Sequence, residues 1–148
     1  MIPVEEVLAR FRHRYLIIGS GALRLHGIDW EEGDLDIWLD PNLSDEDWQA
    51  SVDDAAGSLK RPWKRGEPDG SGGLRASTRI ACSPPLDVMR EVMGCTTEDF
   101  EKAFDNSLIS FYGNVAPLNS IMHMKRSAKR LKDYRHAIKL ARKLLNAW

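Results

Sequence analysis

The stretch from residue 15 to residue 39 constrains the fold more than any other. YLIIG is a short apolar run, SGALRLHG follows it, and LDIWL is a second apolar run interrupted by one acid. Apolar runs of this length bounded by glycine suit buried strands. SGALRLHG reads as a tight turn into a short helix, with Gly27 in place to end it. A strand, a turn, a helix and a second strand in such quick succession predict an α/β chain.

The remaining segments extend that pattern. VEEVLARF has apolar positions at helical spacing. Residues 44–59 are predicted helical, with Ser44 and Asp47 as a capping box and further acids in the first turn. GEPDGSGG, residues 66–73, is rich in turn formers and reads as a mobile loop, a hairpin end or a substrate flap. LRASTRIACS and PLDVM read as two strands around Pro84 and Pro85. TTEDFEKAFDNS starts a helix with Thr97 as its cap, and NVAPLN is one more short strand. From Leu131 onward Leu131, Tyr134, Ile138, Ala141, Leu145 and Trp148 recur every three or four residues, which predicts an amphipathic closing helix with a basic outer face. The expected architecture is a single domain over residues 1–148, a mixed twisted sheet with flanking helices and an acid cluster at one open edge.

Bulk properties narrow the function classes. A chain of 148 residues that is 43% hydrophobic and 29% charged has the composition of an ordinary globular protein and not of a fibre or a disordered tail. No stretch approaches a membrane span, and MIPVEEVLARFRHR lacks the pattern of a signal peptide, so a cytoplasmic location is expected. Cys82 and Cys95 are too few for a disulfide framework and lack metal-ligand spacing, so both are expected as buried thiols without a functional role. Residues 29 to 54 hold eleven acids and no Lys or Arg, whereas 121 to 148 hold nine bases and one acid. The two segments are expected to face each other. The pI near 6.4 and the absence of a reading motif argue against a nucleic-acid partner.

The chemistry concentrates in three acids. Asp34 and Asp36 are separated by one residue in the predicted strand, so the two-residue period points both carboxylates to one face while Leu35 and Ile37 enter the core. Two like charges this close need a compensating cation or basic partner once buried, and Mg²⁺ suits a pair of carboxylates that it shares with substrate phosphates. Asp87, between Leu86 and Val88, projects from a strand in the same way, so three strand-borne acids can converge. Gly19 and Ser20 sit where the first strand turns into a helix, where backbone N–H groups and a hydroxyl can meet phosphate oxygens.

IIGSG, thirteen residues between Ser20 and Asp34, the pair in DLDIWLD and a later LDVM together resemble the nucleotidyltransferase superfamily signature. The tail IMHMKRSAKRLKDYRHAIKL is similar to the closing Lys, Arg and Lys-Asp segment of small bacterial members, including the antitoxin-like and AbiEii-like groups. The resemblance implies transfer of a nucleoside monophosphate from a nucleoside triphosphate to a hydroxyl with Mg²⁺ or Mn²⁺. Asp34 and Asp36 would bridge two ions and the triphosphate, and Asp87 would hold the ion nearer the acceptor. Gly19 and Ser20 would grip the outer phosphates, and Lys125, Lys129 or Lys132 would neutralise charge on departing pyrophosphate. Two departures stand out. Close bacterial relatives place Arg-x-Thr before the acids, where this chain has Glu31-Glu32-Gly33. The chain is also too short for the extra domain of larger relatives, so a partner protein, as in a toxin–antitoxin pair, or a homodimer would complete the site.

Other readings compete for the same residues. A calcium loop fails because Trp38 and Leu39 fall where an oxygen ligand and a glycine are needed. The nucleophile motif of haloacid-dehalogenase-type phosphatases follows a long apolar strand, and here WEEG precedes the acids. A dinucleotide fold would use IIGSGA and Asp40, but Arg24 occupies the third glycine position. A non-catalytic protein that keeps the transferase fold and binds nucleotide or a partner is the second class. An ion pair with Arg90 is the plain structural alternative for Asp87, and His26, His123 and His136 are expected as packing or surface residues.

Overall fold

The computed structural model describes residues 1–61, 77–127 and 131–146, the side chains of 131–134 excepted. The GEPDGSGG segment, Lys129 and the side chain of Lys132 therefore lie outside the described residues. Helix α1 (Val4–Leu8) leads into strand β1 (Tyr15–Ile18), helix α2 (Gly19–Leu25) and strand β2 (Leu35–Leu39). Both strands coincide with the apolar runs, and α2 closes as expected. Gly27 takes φ +82°, its N–H donates to the Arg24 carbonyl, and the Ile28 N–H donates to the Leu23 carbonyl. That is a Schellman motif, which needs a left-handed residue at the glycine position.

Helix α3 (Asp45–Ala56) is capped by Ser44, whose hydroxyl accepts from the Asp47 N–H at 3.1 Å. Its last predicted turn, residues 57–59, tightens to a 3₁₀ turn. Strands β3 (Lys60–Arg61), β4 (Ser77–Ile80) and β5 (Leu86–Met89) follow, then helix α4 (Thr97–Asp105). The cap of α4 is Thr96 and not Thr97. The Thr96 hydroxyl accepts from the Asp99 N–H, and the Asp99 carboxylate accepts from the Thr96 N–H, so two orphan donors are satisfied together. Strands β6 (Leu108–Ser110) and β7 (Gly113–Val115) form a hairpin where one strand was expected. Helices α5 (Leu118–Ser127) and α6 (Leu131–Asn146) end the described chain.

Among the described residues the strands form one seven-stranded mixed sheet in the order β3-β4-β5-β2-β1-β7-β6, the expected α/β class. β2 is antiparallel to β1 and parallel to β5. Both faces of β2 are covered: Leu35, Ile37 and Leu39 are buried on one side and Trp38 on the other, where the Phe100 ring of α4 meets it edge-on at 5.2 Å. A strand buried on both faces carries a nearly continuous apolar run, and an acid within it is therefore conspicuous.

The acidic segment and the basic closing helix do meet. Trp30 is buried, with the Lys139 ammonium 4.3 Å from its ring centroid and the His136 ring edge-on at 5.4 Å. Lys139 also approaches Glu31 at 3.5 Å, and Lys143 approaches Asp29 at 3.9 Å. Exposed pairs of this kind contribute little, so the buried ring is the stronger tie. The apolar stripe of α6 is rotated from its predicted position: Ala137 and Leu140 are buried, whereas Ile138 and Leu145 are 55% and 74% exposed. No helix among the described residues is long and apolar enough to cross a membrane.

Candidate metal and nucleotide site

The strand pairings that build the sheet also assemble the acids. Parallel β2 and β5 register Asp36 opposite Asp87, and antiparallel β1 and β2 register Ile18 opposite Asp36. Paired residues of neighbouring strands project to the same face, so the two carboxylates lie side by side. Asp34 sits one residue before β2 and not within it, but its carboxylate reaches the same place. All three predicted acids come together. They do so on strands interior to the sheet, not at its lateral edge, because β5 enters beside β2 and β4 follows outside it.

Arg79 of β4 ties two of them. Its Nε donates to Asp87 Oδ1 at 2.8 Å, and its Nη2 donates to Asp87 Oδ2 at 3.0 Å and to Asp34 Oδ2 at 2.6 Å. The two bonds to Asp87 make a fork, the geometry in which guanidinium and carboxylate attract most strongly. Arg90, the partner expected under the plain structural reading of Asp87, instead donates to the Leu43 carbonyl and to Asp45. Sequence reasoning missed Arg79. The signal was its place eight residues before Asp87 across the Pro84-Pro85 turn, which registers the two on an antiparallel hairpin.

Asp36 has the least favourable surroundings for an anion. Burial first, then the negative charges of Asp87 and Asp34, push its carboxyl from 3.8 up to about 7, against a smaller opposing pull from Lys125. Lys125 itself is buried on α5, 3.4 Å from His136 Nδ1 and 5.7 Å from the Trp30 ring centroid. A buried ammonium near a buried carboxyl cluster lowers the cost of each.

The sign of the pH dependence follows. A carboxyl that holds its proton more tightly folded than unfolded supports the fold at low pH, and that support is lost as pH rises from about 4 through about 7. With metal chelated, the urea midpoint should therefore fall more steeply over this window in the wild type than in Asp36→Asn. Parallel curves for the two proteins would contradict the assignment.

Gly19 completes the cluster from the β1 side. It opens α2 at φ +67°, and a Cβ built there would lie 2.6 Å from Asp36 Oδ2. Only glycine allows both that backbone and that approach. Ser20 follows in the first turn of α2, half-buried. Of the predicted lysines, Lys125 comes near the acids, while Lys129 and the Lys132 side chain lie outside the described residues.

His26, His123 and Asp40 are engaged elsewhere. His26 Nε2 lies 2.7 Å from the Ala116 carbonyl, and His123 Nε2 lies 3.3 Å from that of Gly94. Asp40, at the far end of β2, pairs with Arg14 and accepts from Asn42. The antiparallel pairing of β1 with β2 is not the parallel crossover that a dinucleotide site at IIGSGA requires. A separate cleft of about 510 Å³ is lined by Trp38, Pro41, Arg90 and the segment from Glu91 to Thr97, and it does not include the three acids. No protein-family model matches the chain, and no curated protein matches it.

Proposed function

We propose that this chain is a metal-dependent nucleotidyltransferase that moves a nucleoside monophosphate from a nucleoside triphosphate to a hydroxyl, with the acceptor on a partner protein as one option. The observation that carries the reading is the meeting of Asp34, Asp36 and Asp87 beside the Gly19 turn. An all-oxygen donor set suits Mg²⁺ or Mn²⁺. Asp36, lifted by burial and then by its two acidic neighbours, is the carboxyl with most to gain from a cation. When bound, such ions would lower the pKa of the acceptor hydroxyl and offset charge on the triphosphate. Gly19 keeps the space against Asp36 clear, and Lys125 supplies a buried positive charge on the helix side. The test is incubation with each labelled triphosphate, Mg²⁺ or Mn²⁺, and candidate acceptors including the protein itself. Label transfer is expected; the absence of both transfer and any metal-dependent melting shift with nucleotide would overturn the reading.

A second reading, a non-catalytic protein that keeps the fold and binds a partner or nucleotide, draws on Arg79. Its guanidinium already sits at two of the three carboxylates, where a cation must compete with it. Replacing Arg79 with Ala removes the partner of the buried Asp87 and is expected to cost about 1–3 kcal/mol in chelator. If the cluster is a metal site, millimolar Mg²⁺ restores most of that loss. If Mg²⁺ restores nothing, the second reading gains.

A further inference from the structure

Away from the acid cluster, Cys95, Asp99 and His123 meet from the turn after β5, the first turn of α4 and the middle of α5. One ligand atom from each lies within 4.8 Å of the other two. We propose that this trio is a second metal site, suited to a borderline-soft divalent ion of the Zn²⁺ type. Thiolate and imidazole ligands select such ions, whereas the three-carboxylate cluster is hard and selects Mg²⁺ or Mn²⁺. The Cys95 and His123 side chains thus separate the two sites by chemistry as well as by position.

The surroundings hold the ligands in place. The Cys95 N–H donates to the Val92 carbonyl at 3.0 Å, which closes the turn that presents the thiol. Asp99 Oδ2 is fixed by the Thr96 N–H at 2.8 Å, so the carboxylate that offers a ligand oxygen is oriented by the helix cap. His123 Nε2 lies 3.3 Å from the Gly94 carbonyl. A neutral ring that donates there carries its lone pair on Nδ1, and a backbone carbonyl on the far nitrogen is a common orienting contact for a metal-bound histidine. Ligands around a tetrahedral Zn²⁺ are about 3.3–3.8 Å apart, so the three atoms need to close by at most about 1–1.5 Å, within reach of side-chain rotation. Binding forms a sulfur–metal bond and releases the thiol proton to water. Three protein ligands leave one position open. Cys95 also lines the 510 Å³ cleft with Trp38 and Arg90, so water or a small ligand can reach that position.

Co²⁺ added to the intact, reduced chain tests this directly, because a cobalt–thiolate bond produces a near-ultraviolet charge-transfer absorption. The band is expected to saturate at about one equivalent. It should vanish in Cys95→Ser, fall several-fold in His123→Ala and persist in Cys82→Ser and Asp36→Asn. His123 is exposed, so its replacement leaves the fold in place, and a Zn²⁺-induced rise in melting temperature should be lost with it. A wild type without the band, a band that survives Cys95→Ser, or one that requires Asp36 would overturn the assignment. The outcome is independent of the transferase assay, which depends on the other cluster.

Discussion

Replacing Asp36 with Ala is expected to lower label transfer by about 10²–10³-fold or more, the scale of losing a preorganised electrostatic stabiliser. The loss will not come from unfolding. In the metal-free protein Asp36 faces Asp87 and Asp34, and its removal relieves like-charge repulsion. The melting temperature of Asp36→Ala in chelator should therefore equal or exceed that of the wild type, while the Mg²⁺-dependent rise in melting temperature should disappear. Full transfer activity in this variant would remove Asp36 from the reaction. A large fall in chelated stability would show that the carboxylate is structural.

Gly19→Ala should show the largest stability effect of any single methyl added at the site. Left-handed backbone costs a residue with a Cβ about 1–2 kcal/mol. The added atom would also stand 2.6 Å from Asp36 Oδ2, so either the carboxylate or the strand must move. Overpacking of this kind costs about 1–3 kcal/mol, and the expected total is about 2–5 kcal/mol by urea unfolding. In an Asp36→Ala background the clash is gone and only the backbone strain of about 1–2 kcal/mol should remain. The difference is the coupling between the two positions. Additive effects would mean that Gly19 and Asp36 do not constrain each other.

The parts of the fold that were legible from sequence are those that short-range rules govern. YLII and LDIWL match β1 and β2 because buried strands need continuous apolar residues. Ser44 caps α3 because its hydroxyl finds an N–H three residues on. The β6–β7 hairpin was not legible. Leu108 and Ile109 are both exposed, so no alternation of buried and polar positions marks β6. The register of α6 failed for a related reason. Ala137, Leu140 and Leu144 form one stripe, and Ile138, Ala141 and Leu145 form another that overlaps it. Periodicity alone cannot choose between them; docking against α5 and Trp30 does.

The candidate sites divide along the same line. Sequence alone determined that Asp36 and Asp87 each stand in an apolar strand, that Asp34 is two residues from Asp36, and that a glycine turn follows β1. Only the tertiary structure decided that β5 pairs beside β2, which brings Asp36 and Asp87 into register. It also brought Arg79 onto Asp34 and Asp87, and joined Cys95, Asp99 and His123 from separate segments. Local patterning reports which backbone can be buried. Which strand edge satisfies another's hydrogen bonds is set by the packing of the whole sheet, and the meeting of distant charges and ligands follows from that choice.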